Sequence, residues 1–523
     1  MVVVTLALDG FDKDLFRLDE FGSIRDLFSN RPSSILQSTL PALTPSAFVS
    51  MQTGKDVGKH GVAGFLRFDG TSARPFTGSD IKDKTFYEIL SDLGKKCFLL
   101  SMPYSYPVRV PGDVVCDWLS MGKAHVHDCV YPSNLFESYP ELYDYQLFPD
   151  GGKGIADYML NIKKSTEALE GIIKHVIDSK RYDYNFFLIR ATDWIQHSLL
   201  KQIMEGDKSS KVRIARDAFA VIDRIVNYVA QNIHGNDTLM LMSDHGFTTY
   251  KRRFYINDWL KEHGYVVTSS KTTDSLEKTR YPFLFDDDPV SLERTSHIPG
   301  VVSKMIREHH SLMRAAGFFR GKVERMLNTR FVLSQPIDLE KSMAFAVEES
   351  AGAIYINKKL LSEDQAADLK KELLSKLTSI SGMQVHDTSA LYGPSVASTV
   401  PEIFLTSSKF WIRRGLAGTV FADIYQDHHR REGILVLSGE AFENAPTNPR
   451  IMDLAPTILH LSGCPIPNDM DGRVLREALR NSSEEARRSI KYTETAPSHV
   501  HSQALSPAEQ EVIEDRLKSL GYI

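Results

Sequence analysis

Several apolar runs in this chain end on residues able to bind a metal ion. Residues 239–242 are unbroken apolar sequence and stop at Ser243-Asp244-His245-Gly246; the run at 2–8 stops at Asp9-Gly10. The run at 184–190 (YNFFLIR) feeds ATDWIQH, in which Asp193 and His197 are four residues apart. Asp427-His428-His429 stands just ahead of another apolar run, ILVLSG. Aspartate and histidine together are a hard and a borderline donor, a pairing suited to a divalent cation. Each place has an ordinary reading too. Asp244 could cap a turn with Gly246 at positive φ, and Asp193 could cap a helix beside a surface His197. Their accumulation favours a metal site. Two divalent ions need about six nitrogen or oxygen ligands, and Asp9, Asp193, His197, Asp244, His245 and one of the adjacent histidines His428 and His429 supply that number.

These residues need elements to hold them. Short, fully apolar runs are the pattern of strands buried on both faces of a parallel sheet. Open α/β sheets place their ligands beyond the carboxyl ends of such strands, where the aspartates stand. If ATDWIQH is helical, Asp193 and His197 share one face. In PALTPSAFVSMQTG the spacing predicts a helix with Thr44 as N-cap, Pro45 at the first helical position and Gly54 as C-cap. A hydroxyl there lies among unpaired N–H groups at the positive end of the helix dipole, a place that binds phosphate, although a plain cap is the commoner role. Helices are predicted over 155–179 and 211–232, the second completing a β-α-β unit with the run at 239–242. Beyond His245, residues 271–288 read as an acid-rich loop or insertion and 299–327 as a mixed-basic helix packed on the core. His309 and His310 are adjacent there, point apart and are poor ligand candidates. Residues 343–356 suggest two strands, 364–377 and 451–463 helices, and Ser506 with Glu509 a capping box that opens a last helix.

Composition narrows the classes. A chain of 523 residues with 42% hydrophobic and 25% charged residues is an ordinary globule, of one large α/β domain with insertions or of more than one domain. Its net charge of -5 gives no reason to expect a nucleic-acid polymer as partner. The four cysteines, Cys97, Cys116, Cys129 and Cys464, form no CxxC pair, so neither a zinc ribbon nor a disulfide framework is indicated and a reduced, cytoplasmic protein is expected. The start, MVVVTLALDG, lacks the basic region and cleavage site of a signal peptide, and no apolar stretch is long enough for a transmembrane segment.

Five segments in order, ALDGFD, LTPSAFVSMQTGKDVGKHG, ATDWIQH, MSDHGF and DHHRREGILVLSG, with the tail IMDLAPTILHLSG…DMDGRVL, resemble the alkaline phosphatase superfamily. Within it the chain is similar to the type I phosphodiesterase/nucleotide pyrophosphatase branch, over residues 1 to about 475. The nearest likeness is to prokaryotic phosphohydrolase/phosphomutase-like members, where SMPYSYPV and the closing LKSLGYI have counterparts.

The resemblance implies a doubly wound, mostly parallel α/β sheet, with an alkaline phosphatase-like core over 1–264 and 401–523 and an inserted cap-like region at 265–400 that chooses the substrate. It implies two divalent ions, one held by Asp193, His197 and His429, the other by Asp9, Asp244 and His245 with Thr44 bridging or ligating. His429 is preferred because the family's histidine stands four residues before the glycine that opens the strand, here Gly433. Zinc is the expected ion, with manganese or magnesium as alternatives. The implied activity is that of a phosphodiesterase or nucleotide pyrophosphatase acting on a small-molecule phosphate ester, with Thr44 as nucleophile and a phosphothreonine intermediate. The alternatives are a phosphomonoesterase or phosphomutase of the same superfamily, or a non-catalytic metal-binding scaffold. Sulfatase activity is disfavoured, since Thr44-Pro45-Ser46-Ala47-Phe48 lacks the C/S-x-P-x-R pattern. One departure concerns substrate contacts. Nucleotide pyrophosphatases carry an asparagine shortly after the His-Gly that follows the nucleophile helix, whereas His60-Gly61 is followed by VAGFLRFDG; Arg67 is the expected substitute phosphate contact.

Overall fold

The computed structural model describes residues 1–268 and 337–495, apart from 69, 71–72, 118, 120–128, 150, 152–153 and 417, together with 498, 512–514 and 517. The expected 271–288 loop, the 299–327 helix with His309 and His310, and the capping box at Ser506 and Glu509 lie outside the described residues.

The apolar runs become neighbouring strands of one eight-stranded sheet, in the order Ser33–Gln37, Glu432–Ser438, Thr238–Met242, Val3–Leu8, Tyr184–Ile189, Cys97–Met102, Asp113–Cys116, Val130–Tyr131. Val3–Leu8 lies at the centre, parallel to Thr238–Met242 on one side and to Tyr184–Ile189 on the other. Cys97–Met102 continues the parallel block to Asp113–Cys116. Glu432–Ser438 and Val130–Tyr131 pair antiparallel to their neighbours. Every residue of the Val3–Leu8, Tyr184–Ile189 and Thr238–Met242 strands is buried, which is why these segments read as continuous apolar sequence rather than as alternation.

Helices cover the sheet. Phe186 meets Phe48 of the Thr44–Thr53 helix edge-on, with centroids 6.1 Å apart. Phe187, turned to the other face by strand alternation, packs with Phe98. The long helices Ile155–Ser179 and Ser210–Gln231 pack on each other. No helix of the described residues is long and apolar enough to cross a membrane.

A second apolar core forms around an antiparallel sheet of Ala344–Phe345, Ala353–Ile356, Ile403–Ser407 and Met383–Asp387, backed by the Glu363–Thr378 helix. It also takes in Phe254, Ile256, Trp259 and Leu260 before it in the chain and Ile412 after it. A small sheet, Trp411–Arg413, Arg253–Tyr255 and Phe421–Ala422, adjoins it. The second core touches the first part of the chain through Phe68, which packs against Phe345 and Tyr355. Buried Glu348 adds a polar tie, accepting hydrogen bonds from the backbone N–H groups of Phe65 and Leu66, each at 3.1 Å.

Candidate metal centre

The strand ends deliver their aspartates to one place. Asp9 and Asp244 follow adjacent parallel strands, and the Gly10 N–H donates to Asp244 Oδ1 at 3.1 Å. After Tyr184–Ile189 the chain turns directly into the Ala191–Met204 helix, so Asp193 and His197 share a face, with His197 Nε2 3.5 Å from Asp193 Oδ1. Asp9, Asp244 and His245 form one buried group whose donor atoms lie within 4.8 Å of each other; Asp193, His245 and His429 form another. His245 belongs to both. Its ring stacks on that of His429 with centroids 3.7 Å apart, and His197 Nε2 reaches His429 Nε2 at 2.9 Å.

His429 lies on a strand. Gln426–Arg430 pairs antiparallel with Gly246–Tyr250, which puts His429 opposite Phe247 and fixes its direction. His429, not His428, faces Asp193, at 3.2 Å. Gly246 does not have the positive φ of the turn reading. It is glycine because a Cβ there would lie 2.3 Å from the Glu432 carbonyl and 2.5 Å from Asp12 Oδ2.

Thr44 is shifted by one position from the expected cap. Leu43 is the N-cap and Thr44 the first helical residue, so its hydroxyl does not cap the helix; Gly54 ends the helix in left-handed conformation, as the spacing predicts. The freed Thr44 hydroxyl lies 3.4 Å from Asp9 Oδ1, to which it donates, and 3.5 Å from His245 Nε2. The whole helix is buried.

The donor set fits cations. Asp193 Oδ1 and Asp244 Oδ2 are buried and receive no hydrogen bond among the described residues. The imidazole nitrogens facing them are acceptors as well: His429 Nδ1–H donates to the Ala42 carbonyl and His245 Nδ1–H to that of Gly246, leaving a lone pair on each Nε2. Carboxylate oxygens and imidazole lone pairs directed at one another are a ligand set for a positive ion. Burial lowers His197 to about 3, with His429 and His245 adding to the effect, and takes His429 well below its ordinary range, so both rings are neutral. Burial also pushes Asp244 up to about 7, and Asp9 well up, where the Asp244 and Asp193 charges add to it. A cation among these carboxylates relieves that crowding.

Arg67 is not brought to this cluster. It lies on the small Leu66–Phe68 and Ala73–Pro75 ribbon, its guanidinium 2.7 Å from Asp80, which Arg74 also engages. Sequence reasoning missed two supports. Arg190, the last residue of YNFFLIR, is buried 3.5 Å from Asp9 and 2.5 Å from Asp117; a lone arginine closing an apolar run was the available signal. Asp12, the second acid of ALDGFD, takes both Nε and Nη2 of Arg430 at 2.6 Å and the Phe247 N–H at 3.1 Å, tying three of the motif segments together. Nothing in local spacing pairs residues so distant.

A sheet whose strand ends carry two overlapping carboxylate-imidazole clusters beside a helix-borne threonine is an α/β fold with a ready place for divalent cations. The chain belongs to the type I phosphodiesterase / nucleotide pyrophosphatase family, which matches residues 3–300, and is thereby a phosphoric ester hydrolase. No curated protein matches it. Among solved structures, the alkaline phosphatase PafA aligns at 12% identity over 92% of this chain and 99% of its own, with a TM-score of 0.53. Phosphonoacetate hydrolase from Sinorhizobium meliloti 1021 in complex with phosphonoformate aligns at 12% identity over 87% and 94%, with a TM-score of 0.50. At these identities the likeness is one of fold.

Proposed function

We propose that the protein is a two-metal phosphodiesterase working through a phosphothreonine on Thr44. The observation that carries this reading is the place of the Thr44 hydroxyl, beside Asp9 and His245, at the start of a buried helix. One ion would be held by Asp193, His197 and His429, the other by Asp9, Asp244 and His245 with Thr44 beside it. Zinc suits this mixture of carboxylate and imidazole, with manganese or magnesium as alternatives. When bound, the ions supply positive charge to the phosphoryl oxygens and to the Thr44 oxygen.

The chain's own residues do the rest. Asp9 Oδ1 accepts the Thr44 hydrogen bond and orients the hydroxyl. Thr44 Oγ gives up its proton to solvent and forms a bond to phosphorus as the bond to the leaving oxygen breaks on the opposite side, that oxygen taking up a proton from solvent to depart as the alcohol. The N–H groups of Thr44 and Ser46, in the first turn of the helix, serve the phosphoryl oxygens. Water then cleaves the phosphothreonine, which gives net retention at phosphorus. Residues 265–400 act as an inserted cap on a core of 1–264 and 401–523. Arg67 is the candidate substrate contact: Asp80 holds Arg74 as well, so release of Arg67 leaves that carboxylate paired. The protein works in the cytoplasm on a small phosphate ester.

The test is turnover of an aryl phosphodiester and the matching monoester by metal-loaded protein, with Thr44→Ala alongside. Cleavage of the diester that Thr44→Ala abolishes supports the reading. Turnover of the monoester alone moves the activity to a phosphomonoesterase or phosphomutase. Full activity in Thr44→Ala sinks the phosphothreonine.

A further inference from the structure

A second polar cluster, half-buried at Arg413 and Arg414, begins one side chain away from the ligands. His428, which does not face Asp193, stacks on Trp411 with centroids 4.4 Å apart and lies edge-on to His197 at 5.4 Å. Two guanidiniums flank the Trp411 ring, Arg413 at 4.7 Å and Arg253 at 5.3 Å from its centroid. Arg253 also donates to Gln426 Oε1 at 2.8 Å. Trp411 is buried, and among the described residues its indole N–H has no partner.

The charges here do not balance. Glu349 Oε2 accepts from Arg413 Nε at 3.0 Å, and Glu349 Oε1 lies 3.4 Å from Arg414 Nε. One carboxylate thus serves two guanidiniums. Arg414 has a further anchor, the Val347 carbonyl at 3.1 Å, but the two Nη groups of Arg413 make no hydrogen bond among the described residues. Burial alone would raise the Glu349 carboxyl, yet Arg413 and Arg414 hold it below the ordinary range, so its single charge is already engaged. Glu348 adds no second one at neutral pH, since burial pushes it up to about 8. Burial, with Arg413 close by, lowers Arg253 to about 10. Arg413 is half-buried, so an anion can reach it from solvent, and a guanidinium fork with free Nη groups is the shape that takes a carboxylate or phosphate.

We propose that Arg413, with Trp411 and Arg253, forms a subsite for a second negative charge on the substrate, carried by the group that leaves from the His197 and His429 side. The subsite rests on the phosphodiesterase reading for the bond that reacts, not for the binding of the anion. The substrate class is then a phosphate ester whose leaving alcohol itself bears a carboxylate or a further phosphate.

The experiment uses the metal-loaded full chain and two aryl methyl phosphodiesters, one releasing 4-hydroxybenzoate and the other the neutral 4-hydroxybenzamide. The quantity read is the ratio of kcat/KM for the charged over the neutral ester, which cancels general damage to the site. In Arg413→Gln the ratio is expected to fall by about tenfold, the worth of one charged hydrogen-bonded contact, and Arg413→Lys should recover part of it. An unchanged ratio overturns the subsite. Calorimetric binding of 4-hydroxybenzoate against 4-hydroxybenzamide separates the two readings if neither ester turns over. Selective binding of the benzoate that Arg413→Gln removes keeps the subsite and discards the phosphodiesterase, whereas binding without selectivity overturns the subsite.

Discussion

Two polar clusters, one buried and one half-buried, meet at His428, and their charges err in opposite directions. On one side Asp9, Asp193 and Asp244 crowd together with three imidazoles, and Arg190 is the guanidinium that reaches them, at 3.5 Å from Asp9 and shared with Asp117. On the other, Arg413 and Arg414 share Glu349, with Arg253 against the same indole. Burial makes the first surplus costly, whereas Arg413 and Arg414 in the second stay open to an anion from solvent. The sign of each surplus therefore names what should fill it: cations among the carboxylates, an anion among the guanidiniums. The sites also differ in what holds them. The first hangs on the ends of parallel strands with every residue buried; the second hangs on Trp411–Arg413, one strand of a small three-stranded sheet.

The sharpest way to break the comparison is at Thr44, which belongs to the first cluster alone. Thr44→Ala should lower kcat on an aryl phosphodiester by about 10³-fold or more, as loss of a covalent nucleophile does, while calorimetry still finds tight divalent-ion binding. Removing the ions comes next. Dialysis against chelator should abolish turnover and lower Tm, because a ligand present at about 100 times its Kd stabilises by about 2.7 kcal/mol. Asp193→Asn should shrink that metal-dependent gain in Tm, since it removes a charged ligand.

Asp12 tests the scaffold beneath the first cluster. Asp12→Ala strands the Arg430 guanidinium and the Phe247 N–H, and should cost about 3 kcal/mol in urea unfolding, at the low end for breaking a largely buried pair. Arg430→Met combined with Asp12→Leu should cost less than Asp12→Ala, because neither partner is then left charged and unpaired.

The smallest expected effect concerns the tie between the two cores. Glu348 has a folded-state pKa of about 8, above the 4.5 of an ordinary glutamate, because burial disfavours its charge. The folded state therefore holds a proton that the unfolded chain releases. This contribution to stability is fully present below about pH 4.5 and is lost as pH rises through 8. Urea midpoints measured from pH 5 to 9 should fall across that window in the wild type and fall less in Glu348→Gln. Equal slopes in the two proteins would remove Glu348 from the account.

Much of the metal centre was legible because its chemistry follows local rules. A strand buried on both faces must be apolar throughout, so the aspartate that ends it is conspicuous in Val3–Leu8 and Thr238–Met242. Asp193 and His197 were legible through their four-residue spacing, which one turn of helix turns into a shared face. The one-residue error at Thr44 shows the limit of such rules. TPS reads as cap and first turn, but the chain places Leu43 at the cap and leaves the threonine hydroxyl free for Asp9 and His245.

What the sequence determined by itself was the inventory: which segments would be strands, that their ends carry acids and imidazoles, and that a hydroxyl opens a helix among them. Periodicity and burial are properties of short stretches, so they survive in one dimension. The tertiary structure decided which of His428 and His429 faces Asp193, through the pairing of Gln426–Arg430 with Gly246–Tyr250. It also decided that Asp12 would clamp Arg430, 418 residues away, and that Arg413 would meet Trp411 and His428 beside the ligands. Those contacts depend on which distant backbones become neighbours when the sheets close, and no local spacing encodes that choice.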